Sequence, residues 1–234
     1  MPKCWAIVPA AGIGSRMQST TPKQYLDLDG RYLIEHSLLK LLAMDWVSEI
    51  VVAIAGDDPY WSKLEISKNS RIKTVIGGGE RAESVWNALL SIDERVEDSD
   101  YVLVHDAARP CIAGDDLEKL YQTVINSESG VILADKLTDT IKRDDGNSSI
   151  LKTVPREGLW RALTPQMFSY ALLKTALKTA RETSSDAVTD EASAVEQLGL
   201  SPKLLQGRSD NIKVTTKGDL KLASLILLSQ RETQ

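Results

Sequence analysis

The sequence contains little of what several large classes of protein need. Of its 234 residues two are histidine, two are cysteine and one is phenylalanine. A zinc site built on histidines is therefore nearly excluded. Cys4 and Cys111 give no paired spacing of a disulfide framework, and we expect both to be reduced, packed thiols. No segment approaches the run of about 20 apolar residues that a membrane span requires.

An excess of positive charge is also lacking. Lys and Arg number 28 against 33 Asp and Glu, for a net charge of −5. A general nucleic-acid surface depends on excess Lys and Arg, so we expect no nucleic-acid partner and only local roles for the cations. The first residues lead directly into a strand-like run without the apolar core of a signal peptide, which predicts a cytoplasmic protein that does not associate with membranes.

What the sequence does contain is an alternation of strand-like and helix-like segments. The strand-like runs are Ala6–Val8, Glu49–Ala55, Lys73–Val75, Tyr101–His105 and Gly130–Ala134. The helix-like stretches are Tyr32–Met44, Ser84–Ser91, Asp115–Ser127 and Ser169–Arg181, and the apolar stretch Leu220–Leu228 is expected to lie against the sheet. This order predicts an α/β fold with a mostly parallel central sheet flanked by helices, in one domain over residues 1–234.

The loop after the first strand-like run is suited to a polyphosphate. Four small residues lie in it: Ala10, Ala11, Gly12 and Gly14. They let backbone N–H groups approach an anion at a strand-to-helix junction. Arg16 adds a planar cationic fork and Lys23 a mobile point charge. The segment indicates a nucleoside triphosphate site, although the glycines alone could form only a tight turn.

Two other nucleotide fingerprints fail in the same loop. A dinucleotide-binding motif would need glycine at Met17, and the lysine spacing of a P-loop is absent. Hydride transfer and P-loop phosphate cleavage therefore both lose support.

A second loop follows the apolar run 102–104 and begins with a carboxylate. Ligands of open α/β sheets gather beyond the carboxyl ends of strands, so Asp106 is expected to face the first loop. A carboxylate opposite a polyphosphate needs a cation between them, and we predict that Asp106 binds Mg²⁺ together with phosphate oxygens and water. The alternative is an aspartate that caps the following turn. His105 could be a base or a structural histidine.

A third loop and two cations complete the candidate site. Three glycines, Gly77–Gly79, permit close contact with a flat nucleobase, or they form only a flexible turn. Lys213 lies between Ile212 and Val214, and this alternation directs its side chain away from theirs. Arg156 and Lys213 could bind a second phosphate or be ordinary solvated charges.

The region at about residues 136–156 has the signature of a β-hairpin. Two segments of mixed polar and β-branched residues flank Asp144-Asp145-Gly146-Asn147. A ribbon this polar is marginal by itself in water, so it is expected to lean on another surface. We predict a C2 homodimer that uses this arm, and the alternative is an arm folded back on its own domain.

Five segments, in this order, resemble the 2-C-methyl-D-erythritol 4-phosphate cytidylyltransferase family. They are Pro9–Met17, Pro22–Tyr25, His105–Pro110, Thr189–Ala192 and Asn211–Thr215. The resemblance implies a Rossmann-like nucleotidyltransferase fold, a homodimer interlocked by a protruding β-arm and a divalent metal such as Mg²⁺. It also implies transfer of CMP from CTP to the methylerythritol phosphate, with release of pyrophosphate.

The resemblance further implies roles for individual residues. The CTP-binding residues would be Ala10, Ala11, Gly12, Gly14, Arg16, Lys23, Gly78 and Ser84. Arg16 and Lys23 would also stabilise the transition state, and Asp106 would hold the metal. The acceptor would be oriented by Lys213, Thr189, Thr140 and Arg156, the last from the partner subunit. Gly79 departs from the acidic residue of many relatives, which puts one contact to the base in doubt.

Three other functions stay open on these residues. Ribitol-5-phosphate cytidylyltransferase differs only in its acceptor site. A sugar-1-phosphate nucleotidyltransferase is disfavoured by the segments at 189–191 and 211–215. A silent nucleotide-binding or scaffold protein would not need Arg16, Lys23, Asp106 and Lys213 together.

Overall fold

A computed structural model describes residues 2–12, 21–183 and 188–232. Its strands there, in chain order, are β1 (Cys4–Pro9), β2 (Asp27–Leu28), β3 (Arg31–Tyr32), β4 (Val47–Ile54), β5 (Ile72–Ile76), β6 (Tyr101–Val104), β7 (Val131–Lys136), β8 (Ile141–Asp144), β9 (Ile150–Val154), β10 (Trp160–Ser169) and β11 (Lys203–Gln206). Its α-helices are α1 (Leu33–Leu42), α2 (Arg81–Ser91), α3 (Gly114–Val124), α4 (Tyr170–Glu182), α5 (Glu191–Glu196) and α6 (Lys217–Glu232).

The central sheet has seven described strands in the order β11-β7-β10-β6-β1-β4-β5. β1 pairs in parallel with β4 and β6, β5 with β4, and β11 with β7. β10 is antiparallel to both of its neighbours. Each predicted strand-like run overlaps one of these strands, and the predicted α/β class with a mostly parallel sheet is confirmed.

Helices cover both faces of this sheet, as the residues of β1 show. Ala6 and Val8 belong to one buried cluster, which includes residues of α1 and α3. Trp5 and Ile7, which alternate with them, belong to a second cluster with residues of α2, α4 and α5. Successive strand residues point to opposite faces, so an almost uniformly apolar strand is typical of a sheet buried on both sides.

The sequence patterns missed β10, although it lies between β6 and β7. Its middle contains Pro165, and a proline within an apolar run argues against a central strand. The structure accommodates Pro165 in an irregularity of the β10–β7 pairing between Ala162 and Gln166. The same stretch brings Thr164 to the end of β6, where it contributes to the site described below.

One expectation for the C-terminal region was wrong. The apolar stretch within α6 does not lie on the main sheet, because its buried residues Ala223 and Leu227 cluster with Leu28 of the small β2–β3 hairpin and with Cys111. The residues around Lys213 are irregular backbone and not a strand. The predicted separation of side chains still holds, since Val214 is fully buried and Lys213 is directed into a cleft.

The predicted hairpin is confirmed as β8 and β9, which form a two-stranded sheet of their own. Its turn needs a left-handed backbone at Gly146, where φ is 86°. Ile150 and Leu151 are 68% and 61% exposed, which is unusual for large apolar side chains. We call residues 136–156 the arm.

Among the described residues no helix is long and apolar enough to cross a membrane.

Candidate active site

A cleft opens beyond the carboxyl ends of β1 and β6, and three loops line it. The predicted site residues that line this cleft are Ala10, Ala11, Gly12, Lys23, Gly78, Ser84, Asp106 and Lys213. We call it the first cleft. The predicted site residues Gly14 and Arg16 lie outside the described residues.

The start of the first loop is fixed by hydrogen bonds on both sides of Ala10. Its N–H donates to the carbonyl of Ala53 at 2.7 Å, which continues the pairing of β1 with β4. Its carbonyl accepts from the buried side-chain amide of Gln24 at 2.6 Å. Gln24 follows Lys23 in a single 3₁₀ turn. The same contact therefore joins the small-residue loop to the segment that carries the predicted phosphate-binding lysine.

The glycine loop at residues 77–79 packs tightly against the first loop. A Cβ at Gly77 would lie 2.5 Å from the Cβ of Ala11 and 2.8 Å from Oγ of Ser84, which no ordinary packing allows. Ser84, in the first turn of α2, accepts a hydrogen bond from the N–H of Gly78 at 3.1 Å and donates to the carbonyl of Glu80. Glycine at 77 is thus required for the close approach of the two loops.

The neighbouring Gly79 lacks the acidic side chain that many members of the resembling family have there. Its N–H donates to the carboxylate of Glu83 at 2.8 Å. An acidic group therefore still lies beside this loop, although it comes from the first turn of α2.

Asp106 follows β6 and is surrounded by cations. Its Oδ1 accepts from Nε of Arg81 at 2.8 Å, and its Oδ2 accepts from Nζ of Lys213 at 2.7 Å. Burial alone would raise the pKa of this carboxyl, but the two cations outweigh burial and hold the pKa well below its usual range. Asp106 is therefore ionised and paired at neutral pH.

Arg81 connects Asp106 to a second buried carboxylate. Its Nη1 and Nη2 donate to the two oxygens of Glu191 at 2.7 and 3.0 Å. Glu191 is only 1% exposed and lies at the start of α5. Burial would lower the pKa of Arg81, yet the two carboxylates raise it above its usual value. The sequence interpretation gave neither residue a role, although Glu191 lies inside the segment Thr189–Ala192 and Arg81 follows the glycine loop at residues 77–79.

A second cleft adjoins the first and shares part of its lining. Arg81, Asp106 and Lys213 border both clefts, and we call these three residues the shared wall. The predicted acceptor residue Thr189 lines the second cleft together with Arg109. Arg109 is buried and donates from Nη1 to the carbonyl of Asn211 at 2.8 Å. This contact ties the loop after β6 to the segment that carries Lys213.

His105 is the structural histidine of the two alternatives. Burial lowers its pKa to about 4, so the ring is neutral at pH 7. Nε2 lies 3.1 Å from the carbonyl of Arg109 and must carry the proton, because a carbonyl can only accept. Nδ1 then accepts from the hydroxyl of Thr164, whose oxygen accepts from the N–H of Asp106. The histidine thus helps to place the backbone of Asp106.

Two predicted site residues lie away from both clefts in the single chain. Thr140 and Arg156 are exposed and belong to the arm, and neither lines the first or the second cleft. Arg156 donates from Nη1 to the carbonyl of Thr138, within the arm itself. The fold of one chain therefore does not bring them to the other site residues.

The carboxylates in the described part of the chain do not form a preorganised metal centre. The described residues contain no group of three or more His, Cys, Asp or Glu side chains placed to hold a metal ion. Both oxygens of Asp106 already accept from cations. A divalent ion at Asp106 would have to share this carboxylate with Arg81 and Lys213, so Asp106 is not preorganised as a dedicated metal ligand.

Comparison with known proteins gives a consistent result. The family model of 2-C-methyl-D-erythritol 4-phosphate cytidylyltransferase, IspD, matches residues 4–229. A protein of that name from Tolumonas auensis is 51% identical over 225 residues, covering 96% of each chain. One from Pseudomonas putida is 49% identical over 222 residues, covering 94% of each. The crystal structure of the Francisella tularensis protein of that name matches with a TM-score of 0.83 at 36% identity, covering 96% of this chain and 99% of the other.

Proposed function

The chain belongs to the 2-C-methyl-D-erythritol 4-phosphate cytidylyltransferase family, and from that premise we propose which residues perform the reaction. The enzyme transfers CMP from CTP to 2-C-methyl-D-erythritol 4-phosphate, in isoprenoid precursor biosynthesis. The products are 4-diphosphocytidyl-2-C-methyl-D-erythritol and pyrophosphate. The matches do not favour ribitol phosphate as the acceptor. The observation that carries our assignment of residues is the pair of adjoining clefts with their shared wall.

CTP occupies the first cleft in this proposal. The backbone of Ala10, Ala11, Gly12 and Gly14 contacts the triphosphate, and Lys23 and Arg16 neutralise its charge. The cytosine lies against Gly78 and Ser84. Three features support this arrangement: the small loop that lines the cleft, the lysine directed into it, and the close packing of the glycine loop on Ala11.

The methylerythritol phosphate occupies the second cleft. Lys213 orients its phosphate, and Thr189 provides a further contact. The side chain of Lys213 is 38% exposed although it is paired with Asp106, so its ammonium group is accessible to an incoming phosphate. Thr140 and Arg156 come from the arm of a second chain in a C2 homodimer. Neither residue lines a cleft of its own chain, which agrees with such an origin.

The transfer is an in-line displacement at phosphorus. A phosphate oxygen of the acceptor attacks the α-phosphorus of CTP, a new P–O bond forms, and the bond to the bridging oxygen of the β-phosphate breaks. The electron pair leaves with pyrophosphate. Because the attacking phosphate is already ionised, no strong general base is required, and the buried neutral His105 is not needed as one. Catalysis then consists of positioning and charge neutralisation by Lys23, Arg16 and Lys213.

Nucleotidyltransferases generally use a divalent cation. Asp106 remains our predicted ligand for Mg²⁺, and an ion that arrives bound to the triphosphate would share its carboxylate with Arg81 and Lys213. We also propose that the enzyme acts in the cytoplasm.

The deciding experiment measures pyrophosphate release from CTP and Mg²⁺ with 2-C-methyl-D-erythritol 4-phosphate and, in parallel, with ribitol 5-phosphate. We expect release with the first acceptor and background release with the second. Release with ribitol phosphate alone would replace the acceptor and keep the chemistry. Binding of CTP without release with either acceptor would support a nucleotide-binding protein instead.

A further inference from the structure

We propose that Arg81 is a positioning residue that fixes Asp106 and thereby leaves the ammonium group of Lys213 available to the acceptor phosphate. The inference rests on the proposed function, since it concerns how the proposed acceptor-binding lysine is held. It gives a positioning role to Arg81 and Glu191, two residues that have no role in the reaction as described above.

The contacts of Arg81 fix its guanidinium in one orientation. Nε donates to Asp106 at 2.8 Å, while Nη1 and Nη2 donate to Glu191 at 2.7 and 3.0 Å. A planar fork that uses three donors on two carboxylates cannot rotate without losing one of them. Glu191 is almost fully buried at the start of α5 and serves as the anchor.

The count of charges shows what this anchor achieves. Three cations, Arg81, Arg109 and Lys213, surround the two carboxylates of Asp106 and Glu191, which leaves one positive charge in excess. If Asp106 had only Lys213 close to it, the lysine would be committed to neutralising a buried carboxylate. Leaving such a charge unpaired is strongly unfavourable.

The distances to Asp106 distinguish the role of Arg109 from the roles of Arg81 and Lys213. Arg109 lies 3.9 Å from Asp106, beyond hydrogen-bond distance, whereas Arg81 and Lys213 lie at 2.8 and 2.7 Å. Arg81 can therefore keep Asp106 paired when Lys213 turns towards a phosphate. Arg81 lines the second cleft and shares Asp106 with Lys213, so its loss is expected to affect the acceptor and not merely the stability of the fold.

The test replaces the ion pair by an amide pair, Arg81→Gln with Glu191→Gln, so that neither partner is left as a lone buried charge. We expect the KM for the methylerythritol phosphate to rise about tenfold or more, because Lys213 is then held by Asp106. The KM for CTP is expected to stay within about threefold of the parent value. The conservative variant Arg81→Lys should recover part of the loss.

The matched control is Arg95→Gln with Glu49→Gln. Nη1 of Arg95 donates to both oxygens of Glu49 at 2.8 Å, and this pair lines neither cleft. Both KM values should be unchanged in the control.

Each other outcome overturns the inference. Unchanged KM values, or a fall in kcat alone that matches a smaller folded fraction, would make the pair merely structural. If the double variant does not fold, Arg81→Lys decides: one ammonium cannot hold both carboxylates, so a KM for the acceptor equal to that of the parent overturns the role. A folded parent that shows no transfer to the methylerythritol phosphate would overturn the proposed function and this inference with it, whereas an active parent with unaffected variants overturns the inference alone.

Discussion

The shared wall and the arm are opposite kinds of structure. In the wall, Arg81 and Lys213 each lie at hydrogen-bond distance from Asp106, and Asp106 is almost fully buried. In the arm, two apolar side chains and most of the polar ones are exposed, and a separate two-stranded sheet holds them. The wall is complete within one chain. The arm is an exposed hairpin, so its proposed role has to be tested with two chains.

The largest expected effect concerns Lys23, which lines the first cleft beside the shared wall. Lys23→Ala should lower kcat by about 100-fold or more, because a preorganised charge that stabilises the triphosphate in the transition state is lost. Pyrophosphate release measures it. The control is Lys68→Ala on an exposed pair with Glu65, which should leave kcat unchanged. A kcat within threefold of the parent would remove Lys23 from the catalytic residues.

The next effect tests whether the arm completes a neighbouring site. We expect Arg156→Ala to lower kcat by about tenfold or more, since a charged contact to the acceptor is lost. In a C2 dimer, a chain with Lys23→Ala paired with a chain with Arg156→Ala rebuilds one intact site of two. An equal mixture that exchanges subunits should therefore reach about a quarter of the parent activity.

The same mixture distinguishes the alternative arrangement. If Arg156 served its own chain, each chain in the mixed dimer would keep its own defect and no activity would return. Sedimentation of the parent provides the control for assembly. A fully active monomer at micromolar concentration would remove the shared site altogether.

Different parts of the molecule were predictable from sequence for different physical reasons. The alternation of apolar runs with helical stretches indicated the sheet, because strands buried on both faces leave a strong pattern, as in β1. β10 was missed because Pro165 interrupts it, and its position depends on pairing with strands distant in the sequence. The local signal of the arm was correct, since turn residues act over short range.

The site divides in the same way, into residues with a local sequence signal and contacts between residues distant in the sequence. Small residues after a strand and a terminal carboxylate are local signals, and they indicated Ala10–Gly12 and Asp106 correctly as cleft residues. The cations that pair with Asp106 are distant in the sequence. Arg81 lies 25 residues earlier (106 minus 81), and Lys213 lies 107 residues later (213 minus 106). No spacing rule reaches that far. The sequence therefore indicated Asp106 but not the two cations beside it, and its role as a metal ligand stays a prediction.

The smallest expected effect concerns the loops of the first cleft, where a substitution changes the packing without changing the charge. Gly77→Ala places a methyl group 2.5 Å from the Cβ of Ala11, so the glycine loop and the first loop must separate. Overpacking of this kind costs about 1–3 kcal/mol, and we expect CTP to bind roughly tenfold more weakly, as measured by calorimetry. Gly56→Ala is the control, because its added methyl group meets only Ile76 at an ordinary 3.7 Å. Unchanged CTP affinity in Gly77→Ala would show that the nucleotide does not depend on the contact between the two loops, and that charge alone defines the first cleft.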